Sequence, residues 1–450
     1  MLNVINNMAK VQEKLIIQGG TPLRGEVAVG GAKNAVLKLM AAALLCEDVS
    51  VIRNVPELSD VEIMLDVLKE LGAKVTYNKE EKFLTIDATN LTGIRASDAF
   101  VSRMRASFVV LGPLVGRMKE AYVALPGGCQ IGERRVNFHI KGLQTLGCEC
   151  KLDNGYVHAK ATRLVGVDIC FDIPSVGATE NIMMASVLAE GTTRIQNAAQ
   201  EPEIVDLANF LVAMGADIEG AGTSEIVVKG VKQSDLHGVE YATIPDRIEA
   251  GTFMSAILAS RGKGIIRNVY PNHLTIFTGK LLEMGAKIRL VEPYAMEVSA
   301  DRRLDAMNFI TQPYPGFPTD LQALAMTLLS TANGVSVVTE SLYENRFMHI
   351  SELWRMGANI RQSKNHAIIK GVETLVGTTV QSTDLRAGAA LVVAAIMAKG
   401  ESEIKNLHHI DRGYEKFTQK LQGLGVNVQR VPYDAKDYEV LDNNEVVHSK

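Results

Sequence analysis

The chain has 450 residues, of which 47% are hydrophobic and 22% charged, with a formal net charge of −4. That length exceeds one ordinary core and points to two or more domains, and the hydrophobic content excludes a disordered chain. The acidic balance and the 5% aromatic content exclude a base-stacking nucleic-acid platform but leave room for a local basic pocket.

The N-terminus lacks an apolar segment of signal-peptide length, and no run approaches the ~18 residues of a membrane span. A cytoplasmic protein with no membrane partner is expected. The five cysteines are an odd number without zinc-ligand spacing. Cys148 and Cys150 stand two apart in an expected strand, so they should share one face, reduced and packed.

In chain order, residues 1–11 read as a flexible tail and Lys14–Val29 as the first strand region. A small-residue helix follows from about Ala32, and then an amphipathic helix with Val61, Met64, Leu65, Leu68 and Leu71 on one face. It ends in LGAKV (Leu71–Val75), a glycine cap before a strand. The phrase returns as LGCEC (Leu146–Cys150), MGADI (Met214–Ile218), MGAKI (Met284–Ile288), MGANI (Met356–Ile360) and LGVNV (Leu424–Val428), about 70 residues apart. Upstream of each lies an alanine-rich helix, from about Ala32, Arg103, Gly177, Arg247, Thr319 and Leu385. These are apolar nearly all round and should lie buried. Six units of strand, buried helix, strand, outer helix and strand result, and six suit two lobes of three. The lobe switch is expected near His237–Pro245. Chain order alone leaves open which lobe the first strand completes. The polar end from about Tyr433 to Lys450 reads as a second tail.

Ionisable residues recur at two equivalent places. The N-termini of the buried helices carry Lys33 and Asn34, Arg103 and Arg105, Asp246 and Arg247, Asp320, and then Asp384 with Arg386. The loops before the outer helices carry Arg134, Glu201 and Glu203, Arg346, and Asp411 with Arg412. Helix N-termini attract anions through free N–H groups and about half a positive charge. An arginine or lysine there costs the helix a few tenths of a kcal/mol, so the repetition points to a strongly anionic ligand. Each of these arginines and aspartates taken alone reads first as half of a structural ion pair; as a set converging at the lobe ends they read as a cleft for a substrate with several negative charges. His139, His349 and His409 lie near these loops and are expected to hydrogen-bond rather than ligate a metal.

The stretch Pro126–Arg135, PGGCQIGERR, sets Cys129 behind a Gly-Gly turn with Arg134 and Arg135 nearby. A thiol beside arginines can fall below about pKa 8.5 and serve as acid or nucleophile; the bland reading is a surface hairpin. Walker, GxGxxG, HExxH and GxSxG motifs are all missing, which leaves triphosphate, dinucleotide, zinc-protease and serine-hydrolase readings without support.

The motifs GGAKNA (Gly30–Ala35), MRAS (Met104–Ser107), LPGGCQIG (Leu125–Gly132), SVGAT (Ser175–Thr179), EPEIVD (Glu201–Asp206) and PDRIE (Pro245–Glu249) continue with FPTD (Phe317–Asp320), ENRFMH (Glu344–His349), TDLRAGA (Thr383–Ala389) and HIDRGYE (His409–Glu415). From about Lys14 to Arg430 the chain thereby resembles the enolpyruvyl transferases, in the branch whose acceptor is UDP-N-acetylglucosamine. The sister branch acting on shikimate 3-phosphate shares the six units but lacks the PGGC loop. The resemblance implies a mixed α/β, two-lobe inside-out α/β barrel. One lobe would span 34–244, the other 12–33 plus 245–432, with flexible tails at 1–11 and 433–450. It implies transfer of enolpyruvyl from phosphoenolpyruvate to the sugar 3′-hydroxyl with release of phosphate, the first committed step of peptidoglycan synthesis. No metal or organic cofactor is implied.

Carried over residue by residue, Cys129 would be the general acid and Asp320 the base. Lys33, Arg134 and Arg412 would hold phosphate, and Arg346 with Arg386 the carboxylate side. Asp384 would serve the addition–elimination steps. Asn34, Arg105, Arg134, Arg135, Val136, Asn137, Phe138, Ser175, Val176, Gly177 and Leu342 would line the nucleotide-sugar site, with Asp320 and Lys33 also touching substrate. Arg135, Val109 and Ile173–Pro174 depart from the common family pattern and resemble the variant typical of low-GC Gram-positive bacteria. Two alternatives accompany this reading: transfer to another hydroxyl acceptor, which competition by shikimate 3-phosphate would reveal, and a retired copy that binds nucleotide-sugar only.

Overall fold

The computed structural model describes residues 12–101, 104–126 and 136–433. Residues 1–11 and 434–450 of the expected tails, with Arg103, Cys129, Arg134 and Arg135, lie outside the described residues; Tyr433, placed in the tail by its polar surroundings, instead ends strand Asn427–Tyr433.

Among the described residues, six four-stranded sheets carry the repeat. The third unit shows the pattern: strand Asp168–Cys170, helix Val176–Ser186, strand Thr192–Gln196, helix Pro202–Ala213, and a hairpin of Asp217–Glu219 with Glu225–Lys229. The first two strands pair in parallel, as a helical crossover requires, and the hairpin continues the sheet antiparallel. The hairpin's second arm is a strand beyond the sequence-derived unit. Its arms are divided by a glycine-rich turn at 220–224, with Gly220 and Gly222 at positive φ.

Gly72, Gly147, Gly215, Gly285, Gly357 and Gly425 all adopt positive φ, from 87° to 109°. A side chain at these left-handed caps would meet strain, and this is why the same phrase closes every outer helix.

The alanine-rich helices are buried as expected. Leu391, Val392 and Val393 of helix Leu385–Met397 are consecutive and all fully buried, so each face of that helix meets protein. Each such side chain contributes about 1.5–3 kcal/mol by leaving water. Helix Leu385–Met397 packs on Arg247–Ala259 and Gln322–Leu329, and helix Leu111–Met118 packs on Val176–Ser186. Two hydrophobic cores result, one running from Val36 to Leu236 and the other combining Leu15–Val29 with Ile248–Val428.

The chain passes between the cores twice, and each passage exchanges a strand. Strand Arg24–Ala28 pairs in parallel with Lys263–Arg267, and strand Glu240–Ala242 with Val49–Arg53. The passages lie side by side: Ala32 N–H donates to Ile244 O at 2.7 Å and Asp246 N–H to Gly30 O at 2.9 Å. A Cβ on Gly31 would stand 1.8 Å from Asn54 O, so this crossing admits only glycine. Strand Gln12–Gln18 sits between Glu401–Lys405 and Asn427–Tyr433, which resolves the placement that chain order left open.

No helix among the described residues is long and apolar enough to cross a membrane. Cys46, Cys148, Cys150 and Cys170 are free thiols. Burial pushes Cys148 up to about 12 and Cys150 up to about 11, which makes both poor nucleophiles.

Candidate active site

Three groups of side chains gather at the ends of the buried helices. The first centres on Asp320, in the short turn Thr319–Leu321 ahead of helix Gln322–Leu329. Arg346 Nη2 donates to its Oδ1 at 2.7 Å, while Arg386 donates to Oδ2 through Nε at 3.1 Å and Nη2 at 2.9 Å. Arg346 Nη1 also reaches Thr319 Oγ1 at 2.9 Å, and Arg386 Nη1 reaches the Tyr414 hydroxyl at 3.4 Å. Both arginines are buried, yet although burial opposes their charge, Asp320 holds each guanidinium above its ordinary range. Asp384 caps the helix that presents Arg386, accepting from the N–H groups of Arg386 at 2.8 Å and Ala387 at 3.1 Å.

The second group joins the two cores. Lys33 opens helix Lys33–Ala42, and its Nζ lies 2.7 Å from Asp60 Oδ2. Arg412, at the end of the turn Leu407–Arg412 in the other core, donates to Asp60 Oδ1 at 2.9 Å and to Oδ2 at 3.4 Å. Burial presses Lys33 below the ordinary ammonium range against the pull of Asp60. Burial alone would raise the Asp60 carboxyl, but Lys33 and Arg412 reverse this and hold it low. A second inter-core pair is bidentate: Arg247 Nε and Nη2 donate to Glu203 at 3.0 and 3.3 Å.

The third group belongs to the first core. His139 Nδ1 is 2.8 Å from Asn181 Nδ2, and its ring stands edge-on to Phe108 with centroids 5.1 Å apart. Burial, followed by the charge of Arg105, pushes His139 down to about 3, so a neutral ring accepts from the amide. A Cβ on Gly177 would lie 3.1 Å from His139 Cε1, which packs the start of helix Val176–Ser186 on that ring. Val136 caps helix Asn137–Thr145, and Phe138 meets Phe171 edge-on at 5.9 Å. Asn34 adjoins Lys33, its carbonyl accepting from Lys38 Nζ at 2.8 Å. Leu342 stands apart from this group, on the second-core side of the chain, where its N–H donates to Glu340 Oε1 at 2.9 Å.

The structure thus gathers Lys33 with Arg412, Asp320 with Arg346 and Arg386, and Arg105 with Gly177 by way of His139. The charge of Arg386 is felt at Lys33, where it favours the neutral amine. Three expectations need correction. Asp411 does not join the site, because Arg430 claims both its oxygens at 2.8 Å. The helices at Arg247 and Leu385 do not offer their first N–H groups to an anion, because Asp246 and Asp384 occupy them. His349 is expected to hydrogen-bond, and for its Nε2 this fails: that atom is buried without a partner among the described residues, and burial pushes the ring down to about 4. The ion-pair and ligand-site readings of the arginines coexist, since Asp320 holds two of them. Sequence reasoning missed Asp60, because an acid in the first turn of a helix reads as an ordinary dipole complement. It also missed Tyr414 and Glu340, which nothing local distinguishes.

Among the described residues no cluster of His, Cys, Asp and Glu is arranged to hold a metal ion. The arrangement suits a small, multiply charged anion between the cores, beside a carboxylate able to accept a proton.

Residues 17–421 match the family described as EPSP synthase (3-phosphoshikimate 1-carboxyvinyltransferase). The chain is 52% identical over 420 residues to UDP-N-acetylglucosamine 1-carboxyvinyltransferase 2 of Carboxydothermus hydrogenoformans, covering 93% of this chain and 99% of that one. It is 50% identical over the same length to UDP-N-acetylglucosamine 1-carboxyvinyltransferase of Thermotoga maritima, with the same coverage of each. Among solved structures, the enolpyruvyl transferase NikO from Streptomyces tendae superposes with a TM-score of 0.85 at 24% identity, over 94% of this chain and 100% of that one. EPSP synthase from Acinetobacter baumannii gives 0.72 at 18%, over 93% and 100%. At these identities the two structures speak for the fold alone.

Proposed function

The chain belongs to the EPSP synthase family of enolpyruvyl transferases, and on that premise we propose that its acceptor is UDP-N-acetylglucosamine and its donor phosphoenolpyruvate. The observation that carries the acceptor is about 50% identity along nearly the whole chain to relatives named for that sugar. The reaction protonates the donor's methylene carbon while the sugar 3′-oxygen bonds to the adjacent carbon and gives up its proton. The tetrahedral adduct then gives up a proton from its new methyl carbon as the bond to the phosphate oxygen breaks, so that the carbon–carbon double bond re-forms as the enol ether and phosphate leaves.

In this reading Cys129 delivers the proton to the methylene carbon and Asp320 takes the hydroxyl proton. Lys33, Arg134 and Arg412 neutralise phosphate, and Arg346 with Arg386 the carboxylate. Asp384, by capping the Arg386 helix, serves both halves of the addition–elimination. The nucleotide-sugar meets Asn34, Arg105, Arg135, Val136, Asn137, Phe138, Ser175, Val176, Gly177 and Leu342. Support comes from the pairing of Asp320 with Arg346 and Arg386, and from the meeting of Lys33 with Arg412 across the cores. We further propose two lobes, 34–244 and 12–33 plus 245–432, in keeping with the two hydrophobic cores. The setting is cytoplasmic cell-wall synthesis, serving cell shape and division, with Cys129 the group that fosfomycin would alkylate.

The test is phosphate release from phosphoenolpyruvate with and without UDP-N-acetylglucosamine, before and after fosfomycin. Sugar-dependent release that the drug abolishes is expected. Release driven by another hydroxyl acceptor, or nucleotide-sugar binding without release, overturns the reading. Cys129→Ser is expected to lose both turnover and the thiol adduct.

A further inference from the structure

Asp60 is the second residue of the outer helix Ser59–Glu70, and only 1% of it is exposed. Its two oxygens receive Lys33 Nζ and the guanidinium fork of Arg412. Lys33 comes from a helix of the first core, Arg412 from a turn of the second, 352 residues along the chain from Asp60. One carboxylate therefore binds together the two described cations assigned above to phosphate. We propose that Asp60 is a positioning residue of the phosphate subsite, an internal anion that orients Lys33 and Arg412 and competes with the donor's phosphoryl group for them. The inference rests on the assignment of Lys33 and Arg412 to phosphate.

The charges around Lys33 make the argument. Burial, Arg412 and Arg386 all press it toward the neutral amine, and Asp60 opposes them. Asp246, which accepts the Lys33 backbone N–H at 3.3 Å, is already turned to its own helix, taking the N–H groups of Ile248 at 2.8 Å and Glu249 at 3.0 Å. Lys33 and Arg412 face Asp60, and both favour its ionised form, as does the N-terminal turn of its own helix. The carboxylate thus does two opposed things. It keeps a buried ammonium charged, which a phosphate dianion needs, and it occupies the hydrogen-bond donors that the dianion would use.

Replacing Asp60 by asparagine keeps the shape and removes the charge. In acid, where Lys33 stays protonated without help, the loss of a competitor should tighten phosphate. In alkali, where the unaided Lys33 gives up its proton, binding should weaken. A merely structural role for Asp60 would instead weaken binding by one factor at every pH. The experiment titrates the enzyme and its Asp60→Asn variant with inorganic phosphate by calorimetry from about pH 6 to about pH 9.5. It adds kcat/KM for phosphoenolpyruvate over the same range. Phosphate's own ionisation cancels in the ratio of the two enzymes.

The expected result is an affinity ratio, variant over native, that falls at least about tenfold across the range and passes through unity. The alkaline limb of kcat/KM should move about one pH unit toward acid. Asp60→Glu, which retains the charge one methylene farther out, should restore that limb. A ratio constant with pH, or a glutamate variant displaced as far as the asparagine one, overturns the proposal. Failure of the native enzyme to release phosphate in a sugar-dependent way would count against the transfer reading instead, and the calorimetric ratio would still judge Asp60.

Discussion

The bidentate pair between Glu203 and Arg247 is the most exacting test of how the two cores are joined. Glu203 lies in helix Pro202–Ala213 of the first core and Arg247 opens helix Arg247–Ala259 of the second. Both side chains are nearly enclosed, at 5% and 10% exposure. Changing Glu203 to glutamine leaves a buried guanidinium without its carboxylate, a loss that typically costs about 3–5 kcal/mol. Glu201 and Asp320 also act on Arg247 and soften that loss, so about 3 kcal/mol is expected here. Arg247→Met should cost a similar amount by stranding Glu203. The double variant exchanges two desolvated charges for a neutral contact and should recover about 2 kcal/mol of the summed losses. Urea unfolding of all four proteins, followed by both fluorescence and circular dichroism, measures the cycle. Probes that coincide for the native protein and separate for the single variants would show the pair coupling the cores. Losses additive within about 0.5 kcal/mol would falsify the claim that this contact couples them.

Gly177→Ala should act on the sugar rather than the donor. The added methyl, 3.1 Å from His139 Cε1, meets a ring held by Asn181 and Phe108, so an overpacking cost of about 1–3 kcal/mol is expected. KM for UDP-N-acetylglucosamine should rise while KM for phosphoenolpyruvate stays; equal rises in both refute the placement. Asp246→Ala removes acceptors for Ile248, Glu249 and Lys33 N–H and should cost about 1–2 kcal/mol in urea unfolding. A loss under about 0.3 kcal/mol would mean that water replaces the cap. Asp206 is pushed up to about 6 by burial, despite hydrogen bonds from Tyr241 and Thr243. Its folded form holds a proton that the unfolded chain releases from about pH 4, so it subtracts stability as pH rises from about 4 to about 6. Asp206→Asn should therefore gain on the native protein by about 2–3 kcal/mol across that window, and a constant difference between the two proteins contradicts the burial argument.

The sequence by itself determined what short-range physics can specify. Six left-handed glycine caps, six apolar helices and the six-unit count follow from periods and turns within about fifteen residues, which is why they are legible without a fold. The charged motifs showed where the chemistry gathers, because arginine and lysine at helix starts are locally unfavourable and their recurrence needs a reason. Tertiary structure decided how the pieces meet. The exchange of strands Arg24–Ala28 and Glu240–Ala242 between the cores leaves no local mark, since an exchanged strand has the same alternation as one that stays. The choice of Asp60 as the partner of both Lys33 and Arg412 was equally hidden. Its position in a first helical turn suits a dipole complement as well as a buried counter-anion, and only the docking of the second core on the first distinguishes the two. Asp246 and Asp384 cap their own helices and Asp411 pairs with Arg430 on the second core's own side, although all three stand near arginines in the sequence. Local sequence sets which groups are ionisable and which helices are buried; the shared partner of Lys33 and Arg412 depends on a contact 352 residues along the chain.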